Sequence, residues 1–363
     1  MKKKERDLVM LKRIRVRNFK SVKELDLPLG RVTVLLGEPG TGKSNILEAF
    51  GLLSWCGQLA SYGHLDSLKE YVRFQNLSNV FYDDCTARPI EIAVEDPEKE
   101  WQCLTVSSAN NAFPLTFFRF RLGEVFSIDA KKVPFKGTPA GVLDYSGALA
   151  SPSGLSPEMH YEPVKFYRFK PLCQFHGING DSLSPPDGRN LLALVMGNSR
   201  LRDLVDASFG KTGQRLVPRP VKKTFEFCRP GPEPCVTFPY HVVSDTIARS
   251  IFYSVAVESN RDATVIFEEP EAHMHPSQTR ALGEMIGRDT ANQYIIATHS
   301  PYLLRELLVK TSPDQLAVYV TYCRDSRTRV AGLTGDNLAG LTGPDPISEV
   351  NQFIPPVVTG PER

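Results

Sequence analysis

Gly37-Glu38-Pro39-Gly40-Thr41-Gly42-Lys43-Ser44 matches the spacing G-x-x-x-x-G-K-S at every fixed position. The chemistry served by this spacing is the grip of a polyphosphate. Glycines let the backbone curl until successive N–H groups point inward, and a helix opening at the end of the loop adds its positive end. Lys43 is then placed to reach the β- and γ-phosphates of ATP, and the Ser44 hydroxyl to ligate magnesium. A second group, Glu268-Glu269-Pro270-Glu271, follows the apolar run Val265-Ile266-Phe267. There Glu268 can hold magnesium through water, and Glu269 can orient or deprotonate the attacking water. A third group, Thr298-His299-Ser300-Pro301, also ends an apolar run, and His299 can donate to the γ-phosphate or to the water. A histidine alone is more often structural, so this last reading leans on the other two.

The flanking sequence predicts the elements that must hold these residues. Val32–Leu36 is a short continuous apolar run, as in a strand buried on both faces. A helix is expected from about Lys43, with Ile46, Leu47, Phe50 and Leu53 on one face. Residues 11–19 alternate Ile14, Val16 and Phe19 with Arg13, Arg15 and Arg17, the pattern of a half-exposed strand at a sheet edge. From 244 onward helices and strands alternate: Ser244–Glu258, Thr264–Phe267, Pro276–Gly287, Tyr294–Ala297, a further helix, then Leu316–Tyr322. That rhythm predicts a parallel sheet covered by helices. Between them, strand-like pieces at Ile90–Val94, Leu115–Leu122, Val164–Phe169 and Thr224–Phe227, with helical pieces at Asn190–Met196 and Leu201–Phe209, sit among prolines and glycines. The expected division is a nucleotide-binding head of residues 1–64 and 241–363, split in sequence by a mixed β/α insertion over 65–240.

The 363 residues, 41% hydrophobic and 23% charged, suit a globular chain with a sizeable core. No run approaches the roughly 20 apolar residues of a membrane span, so no membrane role is expected. The net charge of +2 is uninformative, but residues 1–20 hold Lys2, Lys3, Lys4, Arg6, Lys12, Arg13, Arg15, Arg17 and Lys20 against Glu5 and Asp7. This cluster is either a solvated tail with the polar face of a strand or a contact for DNA phosphate. Seven scattered cysteines without a C-x-x-C pair fit free thiols in a reducing cytoplasm. Cys228 and Cys235 flank a Pro/Gly turn, yet the expectation there too is no disulfide.

Taken together, the chain resembles the ABC-type ATPases of the SMC and RecF group, most of all their stand-alone AAA-family or overcoming-lysogenisation-defect-like relatives. The likeness is carried by Arg17-Asn18-Phe19-Lys20-Ser21, the loop 37–44 with Asn45 after it, Glu268 to Pro276, and Thr298 to Pro301. It implies an α/β P-loop fold, with Glu268 as the magnesium-side acid, Glu269 as the catalytic glutamate, His299 as the switch histidine and Glu271 to Pro276 as the loop that follows. It implies ATP sandwiched in a homodimer, and service in DNA repair, chromosome handling or defence. In that group each head offers the other a signature loop near L-S-x-G-x-x-R. Here Val243-Ser244-Asp245-Thr246-Ile247-Ala248-Arg249 keeps the serine and the arginine but lacks the glycine. Ser244 is the residue to meet the partner's nucleotide, and also a plain helix cap. Gln75 is the candidate for a metal-side residue from the insertion. No acidic constellation resembling a Toprim nuclease follows His299, and 65–240 shows no sustained heptads. Two other readings stand beside hydrolysis: a slow ATP-controlled clamp that recruits a nuclease or other effector, and a P-loop kinase, which the paired acid and histidine motifs disfavour.

Overall fold

The computed structural model describes residues 10–62, 67–110, 112–121, 138–151, 161, 163–177, 180–209, 214–229, 236–242, 244–341 and 350–356. Lys2, Lys3, Lys4, Glu5, Arg6, Asp7, Leu122, Cys235 and Val243, named above, lie outside them. Strands β1 (Arg13–Phe19), β2 (Val22–Pro28) and β3 (Val32–Leu36) lead into helix α1 (Lys43–Tyr62). Then follow β4 (Ile90–Glu95), β5 (Glu100–Val106), β6 (Phe113–Arg121), β7 (Thr138–Leu143), β8 (Leu149–Ser151) and β9 (Val164–Tyr167). Helices α2 (Leu191–Gly197) and α3 (Ser199–Ala207) precede β10 (Arg215–Arg219), β11 (Thr224–Arg229) and β12 (Val236–Pro239). The last part runs α4 (Asp245–Ser259), β13 (Thr264–Glu268), α5 (Pro276–Arg288), β14 (Gln293–Ala297), α6 (Pro301–Lys310), β15 (Leu316–Arg324), β16 (Arg327–Leu333) and α7 (Asp336–Gly340).

The central sheet has the order β16-β15-β3-β14-β13-β9, parallel throughout except for the hairpin strand β16. Its strands are apolar on consecutive residues because both faces are covered. Val265 and Phe267 pack on the α2–α6 side, while Ile266 joins the core around α1 on the other. That helix is buried nearly all round, since β1, β2 and β4–β7 lie over its far side. An all-round apolar helix needs cover on two sides, and two sheets provide it.

The covering sheet is antiparallel, in the order β2-β1-β4-β5-β6-β7-β8. Residues 65–240 therefore enter three sheets: β4–β8 extend the sheet begun by β1 and β2, β9 borders the central sheet, and β10–β12 form a small sheet of their own. Alternation in β1 is as expected, with Ile14, Val16 and Phe19 fully buried, but β1 is no edge strand, being flanked by β2 and β4. Its arginines are paired: Arg13 and Arg15 bond Asp26 at 2.7 and 2.9 Å, and Arg17 bonds Glu24 at 3.0 Å. The charge that pointed to DNA on this strand is thus largely neutralised by β2.

The expectation of free thiols is corrected at one position, where Cys228 is disulfide-bonded, its partner lying outside the described residues. No helix among the described residues is long and apolar enough to cross a membrane.

Candidate functional site

Parallel pairing sets the ends of four strands level. Leu35 of β3 stands beside Ala297 of β14, Ala297 beside Glu268 of β13, and Phe267 beside Tyr167 of β9. The loop 37–44, the stretch 298–301, the acids 268–271 and Arg168 therefore share the carboxyl edge of one sheet, where ligands of such folds bind. The first three are far apart in sequence and are brought together as expected.

Gly37, Gly40 and Gly42 all take positive φ, at 136°, 78° and 98°. Side chains disfavour that backbone, and two of the three positions are also closed by neighbours. A Cβ on Gly37 would lie 2.3 Å from the Thr321 carbonyl oxygen, and one on Gly42 would lie 1.9 Å from Thr328 Oγ1. Hairpin β15–β16 is thus the wall behind the loop, and Thr41 Oγ1 bonds Thr321 Oγ1 at 2.9 Å. Lys43 donates to the Gly37 and Glu38 carbonyls at 2.7 and 2.9 Å. Burial lowers its pKa, with Glu269 opposing. Glu38 and Pro39 are exposed on the rim, and Glu38 accepts from Asn351. Asn45 donates to Ser21 Oγ at 2.6 Å.

Glu269 adopts φ 43°, a left-handed turn that brings its carboxylate within 3.5 Å of His299 Nε2. A non-glycine residue held there is strained, and such strain gathers at functional sites. Burial, then the nearby Lys43 charge, lowers the His299 pKa against the pull of Glu269. Glu271 holds the His299 side of this pair: its Oε1 accepts from Thr298 Oγ1 at 2.6 Å and from the His299 N–H at 2.8 Å. The rest of the motif is helix chemistry, with Ser300 capping α6 on the Leu303 N–H and Pro301 at its first position.

Glu268 is held by more partners than the sequence foretold. The Ser44 hydroxyl donates to it, Arg73 bonds its Oε1 at 2.6 Å, and Arg168 bonds its Oε2 at 2.9 Å. Burial pushes its pKa up, but Arg168, Arg73 and Ser44 outweigh burial and leave it below the ordinary value. Behind it lies Glu48, fully buried and bonded by Lys20, by Arg73 at 2.6 Å and by Arg168 at 3.3 Å. Glu48 was visible as a lone acid in the apolar run Ile46 to Phe50, an anomaly that a buried helix allows only when the acid is paired. Arg73 and Arg168 carried no local signal. Gln75, expected near the metal, is exposed, and among the described residues no hydrogen bond joins its side chain to Ser44 or Glu268. Arg73, two positions earlier, makes that contact instead.

Ser244 occupies the N-cap of α4 and is exposed, without the side-chain capping bond expected of it. Thr246 Oγ1 donates to the His273 carbonyl at 2.7 Å, which sets the start of α4 beside the loop after Glu271. His275 caps α5 through Ser277.

The donor set fits a nucleotide with its metal. A glycine cradle with positive φ values opens a helix at Lys43, and a hydroxyl and a carboxylate, Ser44 and Glu268, already touch as paired oxygen donors.

Residues 236–305 match the family described as "AAA domain, putative AbiEii toxin, Type IV TA system". An OLD nuclease of Thermus scotoductus is 26% identical over 341 residues, covering 80% of this chain. The chain spans 59% of that relative's length. Among solved structures, an SMC head bound to the C-winged helix domain of ScpA matches with TM-score 0.54 at 13% identity, covering 89% of this chain and 97% of that one. An SMC head with an extended coiled coil, bound to the C-terminal domain of ScpA derived from Pyrococcus furiosus, gives 0.52 at 12% identity, with 89% and 96% covered. The chain has the fold of an SMC head, and parts of its sequence are similar to this AAA-domain family and to the OLD nuclease.

Proposed function

We propose that this chain hydrolyses ATP to ADP and phosphate with magnesium, and that two copies sandwich the nucleotide between them. The observation carrying this reading is the Glu269–His299 pair, set 3.5 Å apart on the sheet edge that also bears the glycine loop. Loop N–H groups and Lys43 bind the phosphates. Ser44 and Glu268 are the residues to hold magnesium, which when bound offsets charge on the phosphate oxygens. Glu269 takes the proton of the attacking water, His299 fixes the carboxylate and the water, and Glu271 holds the backbone of His299 in place. Exposed Ser244, at the start of a helix, is the group offered to the partner's nucleotide.

Glu269→Gln keeps shape and hydrogen bonding but removes the base. It should bind ATP normally and turn over more slowly by about 100-fold or more. Light scattering should find the stalled variant dimeric with ATP and monomeric with ADP. Normal turnover would remove Glu269 from the mechanism, whereas a stalled enzyme that never dimerises would refute only the sandwich, the absent signature glycine being the reason.

The OLD nuclease relative, longer than this chain, favours a second reading: a slow clamp whose ATP state recruits a nuclease or other effector. Steady-state turnover separates the two, since a clamp would release phosphate far more slowly than it exchanges nucleotide.

A further inference from the structure

Both oxygens of Glu268 are in ion pairs, and the two guanidiniums that hold them are anchored differently. Arg168 extends from the end of β9, stacks 5.0 Å over Phe166, and donates to the Glu70 carbonyl at 3.2 Å as well as to Glu268. Its side chain is 26% exposed. Arg73 lies on the loop before β4, its side chain is 55% exposed, and its work is divided between two acids. Nε bonds Glu48 at 2.6 Å while NH2 alone bonds Glu268 at 2.6 Å. The NH2 contact with Glu268 can therefore open while Nε stays on Glu48.

Charge in the cluster is unequal. Two carboxylates, Glu48 and Glu268, face three cations, Lys20, Arg73 and Arg168. A divalent cation arriving alone meets an acid whose two oxygens already hold guanidiniums. A polyphosphate reverses that balance.

We propose that Arg73 guards Glu268 against a free divalent cation, so that metal and polyphosphate enter this site together. The proposal rests on the reading of the cleft as an ATP site and adds an order to its loading. Arg73 acts as a positioning residue: it sets when Glu268 is available and does not itself touch the reacting atoms. Removing one positive charge in direct contact with the acid should tighten binding of a lone dication by about tenfold or more.

The test titrates manganese(II) alone into the nucleotide-free full chain and follows the free ion by electron paramagnetic resonance. Wild type and Arg73→Lys, which keeps the charge, should bind weakly, and Arg73→Gln at least about tenfold tighter. With a slowly hydrolysed ATP analogue present, the three should converge. Glu48 keeps Lys20 and Arg168 in the Gln variant, and matched thermal melts check its fold; Arg73→Met is a second neutral variant should Gln unfold. Equal manganese affinity in wild type and the neutral variants, with analogue binding intact, overturns the guard alone. Failure of wild type to bind the analogue overturns the ATP-site reading instead.

Discussion

The two sides of the cleft are built by opposite means. The phosphate side is backbone: residues 37–44 bend at three positive-φ glycines against Thr321 and Thr328, and one lysine lies on the loop's own carbonyls. The acid side is side chain: Glu268 is assembled with Ser44, Glu48, Arg73 and Arg168, drawn from three other stretches. A backbone cradle is specified by neighbours in sequence and tolerates most changes far away. A buried ion network depends on its buried centre, because removing Glu48 leaves the cations around it without their counter-ion.

The largest expected effect tests that dependence. Glu48→Gln leaves Lys20 and two arginines short of their buried counter-ion, and should lower unfolding free energy by about 3–5 kcal/mol in urea denaturation. What stays folded should still bind ATP, since the loop is untouched. An unaltered midpoint would show that the network does not depend on its centre.

Lys43→Ala is the mirror experiment. Loss of the charge facing the phosphates should weaken ATP by about 100-fold in isothermal titration, while stability changes little. Unchanged affinity would remove the phosphate-loop assignment.

The smallest effect isolates burial from pairing. Arg13 bonds Asp26 at 2.7 Å, close to the 2.6 Å from Arg73 to Glu48, but both side chains are more than a third exposed. Arg13→Ala should therefore cost less than about 1 kcal/mol. A cost equal to that of Glu48→Gln would mean that ion pairing itself, and not removal from water, sets the difference between the two networks.

Sequence alone determined whatever is written in consecutive residues. The spacing of Gly37, Gly42, Lys43 and Ser44 dictates a curl, the run Val32–Leu36 dictates a buried strand, and acids or a histidine at the end of such a run must reach a sheet edge. Each follows from local sterics or from a period of hydrophobicity, so each could be read without the fold. Tertiary structure alone decided which strands are neighbours. It set β9 against β13, and so Arg168 beside Glu268; it joined β4 to β1, so that residues 65–240 do not stand apart as one lobe. It also placed Arg73, and not Gln75, on Glu268, and Asp26 and Glu24 on the arginines of β1. The reason is physical: hydrogen bonds and ion pairs between distant segments depend on strand order and register, and a single chain carries no local record of either.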